Sequence, residues 1–384
     1  MKVFIVNPGA VDDYAYELAS ALSKFGVKVR LFGGTNYSGK EVNFKNFNYY
    51  NYFFDVNSIK LKPLKKFLKL LLYIYLQFHI LLLLLKERPD IIHLQWAKMP
   101  ILDRVFIRIF NFFVPVVFTL HNTTPNHGDD SLTNDLIQFG FRSFLQKTSS
   151  IILHTDYSKE IFCLEYPDFL NKVSLVPHGL LTFPTSDKIK KFQFSFSSDL
   201  VLLFFGNIEK YKGLDVLIKA MPYLKNESVE LLIAGRPNIP IEPFIKLSED
   251  LNISDLITWY PSFIDEDDVS EIFDNGDLVI LPHLHIDQSG VLMSAINFEK
   301  PIIASDTGGF SEIIENDKHG YLFKPGDHED LASQLLKVIN NDTVKYMSQE
   351  VSALRKNWKT WQEIAEVTLD IYTDVICHRY GKES

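Results

Sequence analysis

Cysteine is nearly absent: the 384 residues hold two, Cys163 and Cys377. Their wide separation excludes a disulfide scaffold and a cysteine-based metal site. It leaves buried, reduced thiols in a chain suited to a reducing compartment. Low-complexity tracts are also missing, so the chain is expected to be ordered. Positive charge is short overall, with 39 Lys and Arg against 48 Asp and Glu and a formal net charge of −9. That balance argues against a nucleic-acid partner. A spanning helix needs roughly 20 apolar residues, and the run Leu70–Leu85 falls short of that and contains Gln77 and His79. It is expected to be a core helix. The N-terminus lacks the layout of a secretion signal, because Met1-Lys2 runs straight into Val3–Val6, which reads as a buried strand.

The acidic balance has one exception. Between Lys60 and Arg104 stand Lys or Arg at 60, 62, 65, 66, 69, 86, 88, 98 and 104, with only Glu87, Asp90 and Asp103 opposing them. Lys60, Lys62, Lys65, Lys66 and Lys69 alternate with Leu and Phe. Such interleaving suits the headgroup region of an anionic membrane, and these lysines are the expected membrane contact.

Two α/β series follow one another along the chain. In the first, strand Val3–Val6, a turn, helix Tyr14–Lys24 and strand Val27–Phe32 make a parallel βαβ unit. Strands are expected again at 91–94, 116–120 and 150–154, and this half ends at Leu175–Gly179. Residues 182–199 lack periodicity and are read as a linker. The second series has strands at 200–205, 229–234, 278–281, 302–304 and 320–323, with helices between them and to the end. The alternation implies two doubly wound domains, whose ligands bind at strand C-termini.

Three loops of the second series carry the chemistry. Phe204-Phe205-Gly206-Asn207-Ile208-Glu209-Lys210-Tyr211-Lys212-Gly213 leaves a strand and enters a helix. The glycine lets backbone approach a ligand, and Lys212 brings positive charge to a helix start, a place for a diphosphate. Next, Leu281–Leu292 runs from a strand through Asp287-Gln288-Ser289-Gly290 into a helix. Its free N–H groups and the Ser289 hydroxyl form an anion cradle, with Asp287 placed to hold sugar hydroxyls. Lys300–Ile314 then makes a strand, a Gly308-Gly309 turn and a helix. The acids Asp265–Asp268 precede an apolar helix and read as its N-terminus rather than a metal site.

These segments resemble the GT-B glycosyltransferases of the large retaining family 4, the glycosyl transferases group 1. The resemblance rests on 206–213, Leu-Leu-Ile-Ala-Gly at 231–235, Asp277–Gly290, Lys300–Glu312, His319–Leu322 and Trp361–Glu366. Upstream it is supported by Pro89–Trp96, Leu120–Asn122 and Val176–Gly179. It implies an acceptor-binding domain over 1–185, a nucleotide-sugar-binding domain over 186–360, and a helix over 361–384 returning to the first, with the two domains facing a cleft. Lys212, Ser289, Gly290 and Val291 would meet the diphosphate. Gly235, Arg236, Ser262 and Phe263 would lie near the base, and His121 and the Gly9 loop would face the donor sugar, with His121 and Asp287 catalytic. Gly206 belongs to the same donor loop.

Three departures from the family pattern stand out. Asn207 replaces the usual Arg, with Lys210 as the substitute charge. Ser294 stands where the second of two glutamates is expected, which bears on ribose recognition. Gly9-Ala10 replaces a glycine run. The form Gln-Ser-Gly-Val at 288–291 resembles an exopolysaccharide and capsule subgroup.

The implied activity is transfer of a hexose, with retention and without a metal or other cofactor, from a nucleotide sugar to a saccharide acceptor, which the basic segment suggests is lipid-linked. The implied location is cytoplasmic and peripheral, on the inner face of the membrane. A non-catalytic sugar-nucleotide-binding partner of another transferase is the alternative, favoured by Asn207 and Ser294. A GT-B epimerase or phosphorylase is a third reading with no feature specific to it.

Overall fold

The computed structural model describes residues 1–8, 13–34, 43–52, 62–123, 140–183, 191–192, 194–341 and 343–381. It divides into two compact units, one of residues 1–179 with 359–384, the other of residues 180–358. The division falls a few residues before the expected boundary because Leu180 and Phe183 pack into the second unit's core.

The first unit holds an eight-stranded sheet. Its strands are β1 (Lys2–Asn7), β2 (Lys28–Gly33), β3 (Asn43–Phe44), β4 (Phe47–Asn51), β5 (Ile91–Leu94), β6 (Val116–Thr119), β7 (Ser150–Leu153) and β8 (Val173–Leu175). Their order is β3-β4-β2-β1-β5-β6-β7-β8. All pairs are parallel except β3 with β4. Successive strand residues point to opposite faces, and both faces are covered, which is why these strands read as continuous apolar runs. Val3, Ile5, Val29 and Leu31 pack with helix α1 (Asp13–Lys24) and with Ile364, Ala365 and Tyr372 of the C-terminal helix. Phe4, Val6, Phe32, Ile92 and Phe118 face the other way, onto helices α2 (Lys62–Glu87) and α3 (Pro100–Phe113).

Helix α2 corrects the reading of its segment. It is one helix of 26 residues that starts inside the basic stretch. Leu76, Ile80 and Leu84 enter the core, while Tyr75, Phe78 and Leu82 are exposed. It is a core helix on one side only. Between Leu70 and Leu85 only Gln77 and His79 are polar, and Gln77 is itself buried, so the sequence does not reveal which face is covered. The two cysteines are half-buried rather than buried, and both are free thiols.

The second unit holds β9 (Leu200–Phe205), β10 (Val229–Ala234), β11 (Ile257–Tyr260), β12 (Leu278–Leu281), β13 (Ile302–Ser305) and β14 (Gly320–Phe323), all parallel, in the order β11-β10-β9-β12-β13-β14. Leu202 and Phe204 pack with helix α4 (Leu214–Ala220) on one face. Val201 and Leu203 pack on the other with α5 (Glu266–Asp274) and α6 (Gly290–Asn297). The acids Glu266, Asp267 and Asp268 occupy the first turn of α5, where they complement the helix dipole.

The chain then returns to the first unit as α7 (Trp361–Tyr380), opened by a capping box. The Thr360 hydroxyl accepts from the Glu363 backbone N–H, and the Glu363 carboxylate accepts from the Thr360 N–H. Tyr372 of this helix hydrogen-bonds His93 on β5 at 2.6 Å, which ties the returning segment to the sheet.

Candidate functional site

Open parallel sheets bind ligands beyond the carboxyl ends of their strands, where the strand order reverses. In the second unit the order reverses between β9 and β12. The loops leaving those two strands, with the first turns of α6, line a cavity of about 330 Å³. Gly206, Asn207, Tyr211 and Lys212 come from the first loop; His283, Ile286, Gln288 and Ser289 come from the second; Gly290, Val291 and Ser294 come from α6.

Backbone geometry brings these groups together. Gly206 ends β9 with φ +98°. A Cβ there would lie 3.1 Å from Lys212 Nζ and 3.3 Å from a Val291 methyl. Glycine alone therefore suits both the turn and the space that the ammonium occupies. One strand over, a Cβ on Gly235 would fall 1.9 Å from the Gly206 carbonyl oxygen, so the two strand ends lie side by side only with glycine at 235.

Lys212 is 8% exposed. No carboxylate among the described residues pairs with it. Burial brings its pKa down to about 8, with Glu209 pulling the other way. Beside it, His283 is buried, and neither ring nitrogen has a hydrogen-bond partner of good geometry among the described residues. Burial, followed by the Lys212 charge, brings the His283 pKa down to about 3, so the imidazole is neutral at any physiological pH. A buried ammonium without an anion and a buried imidazole without a partner are both costly. Their shared remedy is an anionic, hydrogen-bonding ligand.

The start of helix α6 adds hydrogen-bond donors to the same cavity. Ser289 is its N-cap, and its oxygen accepts from the Leu292 N–H at 3.3 Å. The Gly290 and Val291 N–H groups stay without intrahelical partners by helix geometry, and the Ser289 hydroxyl proton remains free to donate. Ser294 lines the cavity but spends its proton on the Gly290 carbonyl at 3.0 Å.

In the first unit the order reverses between β1 and β5. A ring cluster stands at these strand ends. Tyr14 on α1 lies within 5.2 Å, centroid to centroid, of His121, His154, His178 and Trp361. Trp96 stacks on His121 at 4.8 Å. Gly179 is required there, because a Cβ would meet the Trp361 ring at 2.5 Å.

Hydrogen bonds thread this cluster. His154 Nδ1 donates to the Val176 carbonyl at 2.8 Å, so its Nε2 accepts, and its neighbour 3.2 Å away is His121 Nδ1. His121 therefore carries its proton on Nδ1 and presents an acceptor at Nε2, 3.1 Å from Gln95 Oε1. Turning the Gln95 amide by half a turn places its NH₂ there and its oxygen toward His93 Nε2. Every pair from Tyr372 to Val176 is then a donor facing an acceptor. Burial, then the neighbouring His178 and His93, holds the His121 pKa well below the ordinary histidine value.

Comparison with known proteins decides the family. The family model described as "Glycosyl transferases group 1" matches residues 185–360. The model "Glycosyltransferase Family 4" matches residues 11–181. The chain belongs to the family 4 glycosyltransferases. Among curated relatives, the phosphatidyl-myo-inositol mannosyltransferase of Mycobacterium leprae is 25% identical over 300 residues, covering 74% of each chain. An uncharacterized glycosyltransferase of Methanocaldococcus jannaschii, MJ1607, is 24% identical over 45% of this chain, and the match spans only 44% of that relative. The solved structure of Anabaena Alr3699/HepE in complex with UDP and glucose superposes with a TM-score of 0.73 at 16% identity, covering 97% of this chain and 100% of that one. The fold is GT-B.

Several residues of this glycosyltransferase singled out from sequence lie away from the cavity. Arg236, Ser262 and Phe263 follow β10 and β11 and do not line it; Arg236 sits over the Phe263 ring at 5.8 Å, a flat exposed platform. Lys210 is exposed and outside the lining of that cavity. Asp287 is buried and does not line the cavity; its carbonyl accepts from the Gly309 N–H at 3.1 Å. The ring nitrogens of His121 both have partners inside the first unit. Gly9 and Lys60 fall outside the described residues, as do the side chains of Lys62 and Lys66. Lys65 and Lys69 stand on the first turns of α2. Sequence reasoning missed His283. Its signal was only a histidine just past a buried strand, and its importance comes from Lys212 lying beside it in space.

Proposed function

We propose that this glycosyltransferase transfers a hexosyl group, with retention, from a nucleoside diphosphate sugar to a lipid-linked saccharide at the cytoplasmic face of the membrane. The observation that carries the donor reading is the meeting of Lys212, His283 and the start of α6 in one cavity. Breaking the glycosidic bond of the donor leaves negative charge on the β-phosphate. The Lys212 ammonium and the Gly290 and Val291 N–H groups are positioned to take up that charge without reorganising, and no metal is needed for it. The His283 imidazole supplies one more hydrogen bond. His121, an acceptor at Nε2 once Gln95 is displaced, would receive a sugar hydroxyl.

Uracil is the first donor base to try, because the Anabaena neighbour was solved with UDP and glucose. A lipid acceptor is supported by the name of the Mycobacterium leprae relative, a mannosyltransferase of phosphatidyl-myo-inositol. A role in capsule or exopolysaccharide synthesis rests on the Gln288–Val291 resemblance. The non-catalytic reading is not favoured, since that relative is named for transfer.

The test is incorporation of labelled hexose from UDP- and GDP-sugars into a lipid extract of membranes. Label should move into the organic phase and fail to do so with Lys212→Met. Tight nucleotide-sugar binding with no transfer to any acceptor would favour the non-catalytic reading instead.

A further inference from the structure

Helices α2 and α3 lie in the same layer, both packed on the sheet face that carries Phe4, Phe32 and Phe118. They touch each other through Phe78 and Phe106, with ring centroids 5.4 Å apart. Their outward faces therefore adjoin. On α2 that face carries Phe67, Leu71, Tyr75, Phe78, Leu82 and Leu85, spaced by three and four residues, all exposed. On α3 it carries Ile101, Val105 and Phe112, four and seven residues apart and so on one side of the helix. Leu82 is 66% and Phe112 78% exposed. At 1.5 Å per residue the 26-residue α2 is about 39 Å long. The stretch Phe67–Leu85 that carries the apolar face spans about 27 Å of that length, and a contiguous apolar face of this size marks a contact surface.

Charge identifies what it contacts. From 62 to 113 there are nine Lys and Arg and three acids. Each acid is spoken for: Glu87 pairs with Lys2 and Arg30, Asp90 accepts from the Lys2 backbone N–H, and Asp103 is buried and accepts from the Tyr73 hydroxyl. Lys86 is exposed beside the stripe on α2, and Arg108 is exposed among the apolar residues of the α3 face. An apolar stripe bordered by cations and lacking free acids matches an anionic lipid surface.

The 21 residues Phe67–Glu87 are long and apolar enough to cross a bilayer. Their inner face, however, is committed to the domain core, and Tyr73 and Tyr52 hydrogen-bond across it to Asp103 and His79. Spanning would expose that core face and break those bonds.

We propose that the outward face of α2 and α3 lies flat in the headgroup region of an anionic membrane. The aliphatic and aromatic side chains enter the acyl boundary, and the lysines and arginines reach the phosphates. This deepens the membrane part of the proposed function and rests on it, while leaving the donor cavity untouched.

The test is co-sedimentation of the full chain with phosphatidylcholine vesicles, with and without phosphatidylglycerol. The wild type should bind the anionic vesicles much more tightly, and added salt should weaken the binding. The pair Leu82→Asp and Phe112→Asp should reduce it about tenfold or more. Phe25→Asp, an exposed apolar position next to α1 on the other layer, should leave it unchanged. Melting temperature and nucleotide-sugar stabilisation, measured without vesicles, should be the same in all three proteins, so failure of the donor reading would show separately. Unchanged binding in the double variant, or none to either vesicle, would overturn the proposal. So would bound protein that resists alkaline carbonate extraction, the mark of a spanning helix. A dimer in solution that the same pair converts to monomer would assign the face to a second copy.

Discussion

A Cβ on Gly206 would stand 3.1 Å from the ammonium nitrogen of Lys212, so the first residue of the loop after β9 leaves room for that loop's buried cation. Gly206→Ala therefore meets two penalties, a left-handed φ of +98° and a displaced Lys212. The expected result is a loss of about 1–3 kcal/mol of stability, together with weaker nucleotide binding. Chemical denaturation and calorimetry with UDP read the two effects separately. Wild-type affinity in a destabilised Gly206→Ala would show that Lys212 does not need its present place.

Lys212 also sets a pH dependence. Its folded pKa is about 8 against 10.5 for an unstrained lysine. Between those values the unfolded chain holds the proton more tightly than the folded one, so the stability of the unliganded protein should rise with pH across that window. Binding of a diphosphate needs the charged form, so affinity should fall above about pH 8, by up to about tenfold per pH unit. Titration calorimetry from pH 6 to 10 checks this. A flat profile would mean that Lys212 does not meet the anion.

For His283, the lack of ring partners separates binding from folding. His283→Phe removes a buried polar group that has no partner, so the unliganded protein should be as stable as wild type or slightly more so. Nucleotide-sugar affinity should drop about tenfold, the value of one hydrogen bond to a charged group. Thermal melts with and without donor give both numbers. Equal donor stabilisation in the two proteins would assign His283 to packing alone.

The chain from Tyr372 to Val176 makes a spectroscopic claim. His121 should be neutral and protonated on Nδ1, and should stay so well below pH 6.5, because burial and its histidine neighbours oppose its charge. In His154→Phe the acceptor for that proton is gone, and His121 should change tautomer or titrate nearer the ordinary range. Imidazole nitrogen shifts report this directly. A wild-type His121 protonated on Nε2 would contradict the hydrogen-bond order described.

Much of the architecture could be read from sequence where a strand is buried on both faces. Leu200–Phe205 and Val229–Ala234 announce themselves as apolar runs ended by Gly206 and Gly235. The strand Ile257–Tyr260 gave no such signal, because it is buried mainly at Ile257 and Thr258 interrupts its apolar run; helix α3 was passed over although Asp103, Arg104, Arg108 and Asn111 alternate there with apolar residues at helical spacing. That Lys212, Ser289, Gly290 and Val291 would meet in one cavity was legible because glycine turns and helix starts carry local signatures. His283 was not, because an orphaned side chain is defined by neighbours some seventy positions away. The outer face of α2 was hidden for a related reason, since Leu81 and Leu82 look alike until one of them is covered.

The central claim, that the second unit binds the diphosphate of a nucleotide sugar through Lys212, is tested most directly by titrating UDP and GDP sugars into wild type and Lys212→Met by calorimetry. Wild type should bind one of them, and the variant should bind it about a hundredfold more weakly or not at all, with an unliganded melting temperature no lower than wild type because an unpaired buried charge has been removed. Equal affinity in the two proteins would contradict the account.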